Sequence, residues 1–222
     1  MIATKSNEIP RVTKFSEDLI CKPQDPYGIA KLSSELILKN LADVHDIDLV
    51  IAIPHNIIGP RQKYDDPFRN VASIMINLML QGRQPYIYGD GNQVRCFSDI
   101  EDDVWCLAQF LEDKRAVGNI YNIGPDENPI TINNLANIIA NKLNFRLDPI
   151  YIAGRPQEVK HATCSANKIR NEFGYTTTVT LEKSIEKMIE YILHRGVKTF
   201  SYHLPVEISN ELTPKTWSQK LF

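Results

Sequence analysis

Pro23-Gln24-Asp25-Pro26-Tyr27-Gly28-Ile29-Ala30-Lys31, continuing into Leu32-Ser33-Ser34-Glu35-Leu36, is the stretch from which the rest of the chain is read. Two prolines and Asp25 make an extended entry. Apolar residues then recur at helical spacing, at Ile29, Leu32, Leu36, Leu41 and Val44, which predicts a helix over 27–45. Tyr27 and Lys31 are four apart and share one face of that helix. An ammonium beside a phenol favours the phenolate and lowers a pKa that otherwise lies near ~10, so the pair is a candidate acid/base. Taken alone, it suits equally well an amphipathic helix with a partly exposed Tyr and a solvated Lys.

Downstream, Leu49–Pro54 is a short apolar, β-branched run of the kind found in a buried parallel strand, and a second such run lies at Asn119–Ile123. Helix and strand in alternation is α/β patterning. Asn56 follows the first strand's C-terminal end, where open α/β sheets bind ligands; the plain alternative is an Asn and Gly turning the chain.

The landmarks come in a definite order: Tyr27-Gly28-Ile29-Ala30-Lys31, then Pro54-His55-Asn56-Ile57-Ile58-Gly59-Pro60-Arg61-Gln62, then Tyr88-Gly89-Asp90-Gly91-Asn92-Gln93-Val94-Arg95-Cys96-Phe97-Ser98-Asp99-Ile100, then Asn122-Ile123-Gly124. Together they resemble the extended short-chain dehydrogenase/reductases, and within them the NAD-dependent nucleotide-sugar epimerases and dehydratases, especially UDP-glucose 4-epimerase-like members. The resemblance covers nearly the whole chain. It departs in one respect: such enzymes begin with a strand and a Gly-rich turn for the NAD pyrophosphate, and neither is present in these 222 residues.

The resemblance implies roles. Tyr27 removes a sugar hydroxyl proton, while Lys31 lowers the Tyr pKa and holds the nicotinamide ribose. Pro54 lies beside the nicotinamide, so Tyr27, Lys31 and Pro54 form the cofactor set. Asn56, Asn70 and Val71 approach the nucleotide sugar, and Tyr88 lies against the base. Arg95, whose planar fork of N–H donors suits a diphosphate, contacts the phosphates. Gly154-Arg155-Pro156-Gln157-Glu158 resembles an Arg-Pro-x-Asp element in which Arg155 binds phosphate and the acid, here Glu158 with one more methylene, binds ribose. The family's catalytic Ser or Thr falls at or just before Met1 by count, so neither nearby hydroxyl, Thr4 nor Ser6, is assigned that role.

Composition agrees with a soluble α/β chain. Apolar residues make up 43% and charged residues 23%, the net charge is −2, and no basic face points to nucleic acid. Cys21, Cys96, Cys106 and Cys164 show no metal spacing and read as reduced thiols, which suits a cytoplasmic protein without a bound metal. No apolar run is long enough to span a bilayer, and the N-terminus has no signal-peptide core.

Further elements follow from pattern. Asp65 to Asn70 reads as the cap of a helix running to about Leu80, with Pro67 in its first turn and a stripe of Val71, Ile74, Met75, Leu78 and Met79. Tyr86–Tyr88 and Val94–Ser98, joined by Gly89-Asp90-Gly91-Asn92, read as a hairpin. Asp99–Leu111 reads as a helix with Val104, Leu107, Ala108 and Leu111 on its apolar face. Thr131 opens another helix, Pro149–Ile152 is a short strand, and helices are expected from Ser165 to Gly174 and from Leu181 to His194. Tyr202, Leu204, Val206 and Trp217 suggest a tail packed on the surface.

The expected architecture is the C-terminal part of a Rossmann-type parallel sheet with a small mixed α/β substrate domain. Residues 1–62 and 99–125 belong to the dinucleotide-binding part, 63–98 and 126–200 to a sugar-nucleotide domain, and 201–222 to a tail. The implied activity is reversible oxidation of a hexose C4 hydroxyl with NAD, acting on a nucleotide-diphosphate sugar such as a UDP-sugar, in a possible homodimer. Two alternatives stay open: a nucleotide-sugar 4,6-dehydratase, and a non-catalytic sugar-nucleotide-binding fragment.

Overall fold

The computed structural model describes residues 14–23, 25–155, 158–206 and 208–222. Thr4 and Ser6 lie outside them. The first helix, α1 (Pro26–His45), begins where the 27–45 periodicity places it. Asp25 caps it, its Oδ1 accepting from Gly28 N at 2.6 Å, and Asp46 ends it in the left-handed region at φ 52°. None of its residues is buried.

The expected parallel sheet is present. β1 (Ile51–Pro54) pairs with β4 (Ile120–Ile123) in parallel, from Ile51 opposite Ile120 to Pro54 opposite Ile123. Behind it, Tyr121 and Ile123 pack with Cys106 and Phe110 of α3 (Ile100–Glu112), with Ile169 of α5 (Asn167–Phe173), and with Tyr175. Phe110 stacks on Tyr121 with ring centroids 4.8 Å apart. The chain leaves β4 through Asp126, which is 5% exposed and meets Arg170 Nη2 at 2.8 Å and Lys14 Nζ at 3.1 Å. Burial alone would raise its pKa, but those two cations hold the carboxyl well below the usual range.

A larger core lies beside this sheet. α2 (Val71–Leu80), α4 (Ile132–Leu143) and α6 (Leu181–Arg195) bury Met75, Ile76, Leu135, Ile139, Ile185 and Met188 against one another, together with Ile58, Ile87 and Phe97. Thr131 and Thr180 cap α4 and α6 through their hydroxyls.

Four expectations are corrected. α2 starts at Val71 with Asn70, in the expected capping stretch, as its cap, Asn70 Oδ1 accepting from Ala72 N at 2.9 Å. Pro67 sits instead in a turn closed by Asp66, whose Oδ1 accepts from Phe68 N at 2.9 Å. α2 is also buried on every side from Ala72 to Met79 rather than along a stripe.

The hairpin does not form. β2 (Tyr86–Tyr88) pairs in parallel with β6 (Ile150–Ile152). β3 (Val94–Arg95) lies instead between β5 (Ile130–Thr131), antiparallel, and β7 (His161–Ala162), parallel.

α3 turns the opposite face inward. Asp102, Asp103, Cys106 and Phe110 are buried, whereas Val104, Leu107 and Leu111 are exposed. Asp102 accepts from Thr178 N at 3.1 Å and from the Thr178 hydroxyl, and Asp103 Oδ2 accepts from Ser98 Oγ at 2.9 Å, while Asp103 Oδ1 is buried with no partner among the described residues. Partnered acids can therefore occupy the side that hydropathy alone assigns to Val and Leu.

The tail packs against the protein, with Tyr202 and Phe222 half-buried on Ile74, Leu78 and Phe200 and with α7 (Lys215–Ser218) burying Thr216, while Leu204 and Val206 are exposed.

Candidate functional site

Strand topology brings four of the expected residues to one place. β6 runs beside β2 with Ile152 opposite Tyr88, and Gly89 N donates to Ile152 O at 2.8 Å. Gly89 and Gly154 then pass so closely that a Cβ on Gly89 would lie 3.9 Å from Gly154 Cα. That approach lays Arg155 on Tyr88, with the guanidinium carbon 4.3 Å from the ring centroid.

Arg95 arrives from the neighbouring sheet, as the last residue of β3. Its Nη1 donates to Val94 O at 2.8 Å, and its Nη2 lies 3.6 Å from Glu158 Oε1. Burial lowers the Arg95 pKa; the Glu158 carboxylate opposes that, and the positive charge of Arg155 adds to it. Two guanidiniums thus stand within electrostatic reach with one carboxylate beside them. A dianion fits such a place better than a neutral ligand does.

The other residues expected to bind lie in the surrounding frame. Asn56 ends the turn after β1 at φ 39°, a left-handed position that Asn tolerates. Its Nδ2 donates to Cys96 O at 2.7 Å, next to Arg95. Asn70, besides capping α2, reaches Ile57 O through Nδ2 at 3.4 Å, and Val71 is half-buried at the helix start. Pro54 is exposed at the C-terminal end of β1.

Tyr27 and Lys31 are not brought to this group. Both are exposed on α1, Tyr27 to 73%, and neither polar end has a hydrogen bond or ion pair among the described residues. The described residues also hold no cluster of His, Cys, Asp and Glu fit for a metal ion, and no helix among them is long and apolar enough to cross a membrane.

The tail supplies two residues that sequence reasoning did not place here. Thr216 Oγ1 and Tyr88 Oη are hydrogen-bonded at 2.6 Å, and Thr216 N donates to the same phenol at 3.4 Å. Trp217 packs on Phe68, donates from Nε1 to Pro67 O at 3.2 Å, and has the Arg155 guanidinium 5.9 Å from its ring centroid. Pro214, a helix-start signal, and a Trp in a polar run were the only hints in the sequence.

Arg95 and Arg155, with Tyr88 beneath Arg155, make a doubly cationic group whose chemistry suits an anion. The profile of the GDP-mannose 4,6 dehydratase family matches residues 9–188, and the chain belongs to that family. Among its relatives, dTDP-glucose 4,6-dehydratase of Shigella flexneri is 26% identical over 219 residues, covering 93% of this chain and 59% of the relative. A putative UDP-glucose 4-epimerase of Methanocaldococcus jannaschii is 29% identical over 185 residues, covering 82% and 58%. The structure is similar to that of UDP-glucuronic acid 4-epimerase from Bacillus cereus in complex with UDP-glucuronic acid and NAD. The TM-score there is 0.77 at 28% identity, over 83% of this chain and 57% of that one. The chain therefore spans under 60% of the length of each. The family comprises nucleotide-sugar epimerases and 4,6-dehydratases.

Proposed function

We propose that this chain carries the nucleotide-sugar site and the acid/base helix of an NAD-dependent nucleotide-sugar epimerase of the UDP-glucose 4-epimerase kind. The observation that carries the reading is the pairing of Arg95 with Glu158 beside Arg155, whose guanidinium lies over Tyr88. In it the guanidiniums take the diphosphate, Glu158 takes the ribose hydroxyls, and Tyr88 backs the base. Asn56, Asn70 and Val71 shape the side nearest the sugar. The division into 1–62 with 99–125, 63–98 with 126–200, and 201–222 belongs to the same reading, as does association of two copies.

Pro54, Tyr27 and Lys31 fit the nicotinamide-ribose end of NAD; no Gly-rich turn for its pyrophosphate occurs in these residues. NAD would supply the oxidation by accepting and returning a hydride. Tyr27 would take the C4 hydroxyl proton and give it back, with the Lys31 ammonium favouring the phenolate. A 4,6-dehydratase shares this first step and is supported by the Shigella flexneri relative.

Calorimetric titration of the folded chain with UDP tests the binding half. Arg95→Ala and Arg155→Ala should each weaken UDP about tenfold or more, at about 1.5–3 kcal/mol per charge-assisted contact. Arg195→Ala, at the end of α6, should do little. Equal affinity in all variants overturns the reading. With a dinucleotide-binding half present, Tyr27→Phe should lower turnover about 10²–10⁴-fold at nearly unchanged sugar-nucleotide affinity. Product analysis then separates a C4 epimer from a 4-keto-6-deoxy sugar.

A further inference from the structure

Arg155 is exposed, and an exposed arginine ordinarily samples many rotamers. Here its guanidinium lies over the buried face of Tyr88, and the indole of Trp217 stands within cation–π range of it. Tyr88 is in turn fixed by the tail, and Trp217 fixes the tail to the body of the chain. Thr216, fully buried, binds the Tyr88 phenol, and Trp217 is anchored by Phe68 and by the carbonyl of Pro67. Phe68 and Pro67 stand just ahead of Asn70 and Val71, so the tail grips the same stretch of chain that opens α2.

We propose that the C-terminal tail is a wall of the nucleotide-sugar site, with Trp217 and Thr216 as positioning residues that hold Arg155 in place for the diphosphate. This rests on the reading of Arg155 as a phosphate ligand. The tail lowers the cost of ordering a long flexible side chain before the anion arrives, and preorganisation of this kind appears as affinity. Trp217 works through Arg155 rather than by touching the phosphates.

The chain contains two tryptophans, so Trp105→Phe, at an exposed position of α3, leaves Trp217 as sole reporter. UDP should change its emission with the same midpoint that equilibrium dialysis gives. Trp217→Leu keeps an apolar side chain against Phe68 but has no π face, and should weaken UDP on the order of three- to tenfold. Trp217→Phe should keep most of the affinity. In an Arg155→Ala background, Trp217→Leu should have no further effect. Far-UV circular dichroism and the melting temperature check that each variant folds; should Trp217→Leu fail to fold, Thr216→Val, which removes the hydroxyl bond to Tyr88, goes through the same cycle. If either substitution weakens UDP as much without Arg155 as with it, or if UDP binds without altering Trp217 emission, the tail proposal is overturned and the diphosphate reading survives. If Arg155→Ala itself leaves UDP affinity unchanged, the diphosphate reading of Arg155 fails and takes this inference with it.

Discussion

The side-chain amide of Asn56 donates to the backbone carbonyl of Cys96 at 2.7 Å, tying the turn after β1 to the residue beside Arg95. Two demands meet at this position, a left-handed backbone at φ 39° and a donor of the right reach. Asn56→Gly keeps the first and loses the second, so it should cost about 1 kcal/mol in denaturant unfolding. Asn56→Ala loses both and should cost about 2 kcal/mol. Equal costs would mean that the bond contributes nothing.

Gly91 holds the turn between β2 and β3. At φ +72°, a Cβ there would come within 2.0 Å of Asn133 Oδ1, while Asn133 Nδ2 already donates to Asp90 O at 2.9 Å. Gly91→Ala should therefore destabilise by about 2 kcal/mol or more, a drop in melting temperature of about 4–8 °C for a chain of this size. Adding Asn133→Ala should recover the steric part and leave the backbone part.

Glu158 faces Arg95 across 3.6 Å and competes with any anion for it. Inorganic pyrophosphate, which has no ribose, isolates that competition. Glu158→Gln should bind pyrophosphate several-fold more tightly than the native chain, and UDP no more tightly, because the proposed ribose contact is weakened at the same time. Isothermal titration with both ligands reads the difference. Tighter binding of both would remove the ribose role.

His55 and Asp103 make opposite contributions to pH stability. Burial lowers His55 to about 4, with a side-chain hydrogen bond to Asn122 opposing, and its Nε2 is buried without a partner. The unfolded imidazole takes up a proton near 6.5, so this contribution is lost as pH falls from about 6.5 to 4. Burial raises Asp103 to about 7, against the hydrogen bond from Ser98. The folded state then binds the extra proton, and this contribution is lost as pH rises from about 4 to 7. Between pH 4 and 6.5 the two slopes oppose. Urea unfolding of Asp103→Asn should therefore fall more steeply on acidification than the native chain, and that of His55→Gln should rise. Parallel profiles in all three would refute both assignments.

How much of this was legible beforehand depends on where each signal lives. Local rules work where the cause is local: Thr131 caps α4 through a nearby amide, and Ile51–Pro54 pairs as an apolar β-branched run should. The hairpin fails because pairing is not local. The partner of Tyr86 is Ile150, and the flanks of β3 come from β5 and β7. No turn signal at Gly89–Asn92 reports that competition. The face of α3 fails for a related reason: Asp102 is paid back by Thr178, a residue that only the tertiary fold brings near. Arg95, Arg155, Glu158 and Tyr88 were nameable from motif, but Thr216 and Trp217 carry no local mark of their destination.

α1 bears on more than the site. All twenty of its residues remain unburied, so it is held by its own ladder and its two end residues. A free helix of that length is marginal in water, and its amides should exchange with solvent through local opening far below the global unfolding free energy. Tyr27 and Lys31 keep their shared face only while the helix is closed. Any surface that covers Ile29, Leu36 and Val44 would therefore quiet this breathing and, in the proposed reading, hold Tyr27 and Lys31 on one face as well, joining association to the readiness of the proposed acid/base pair in a single equilibrium.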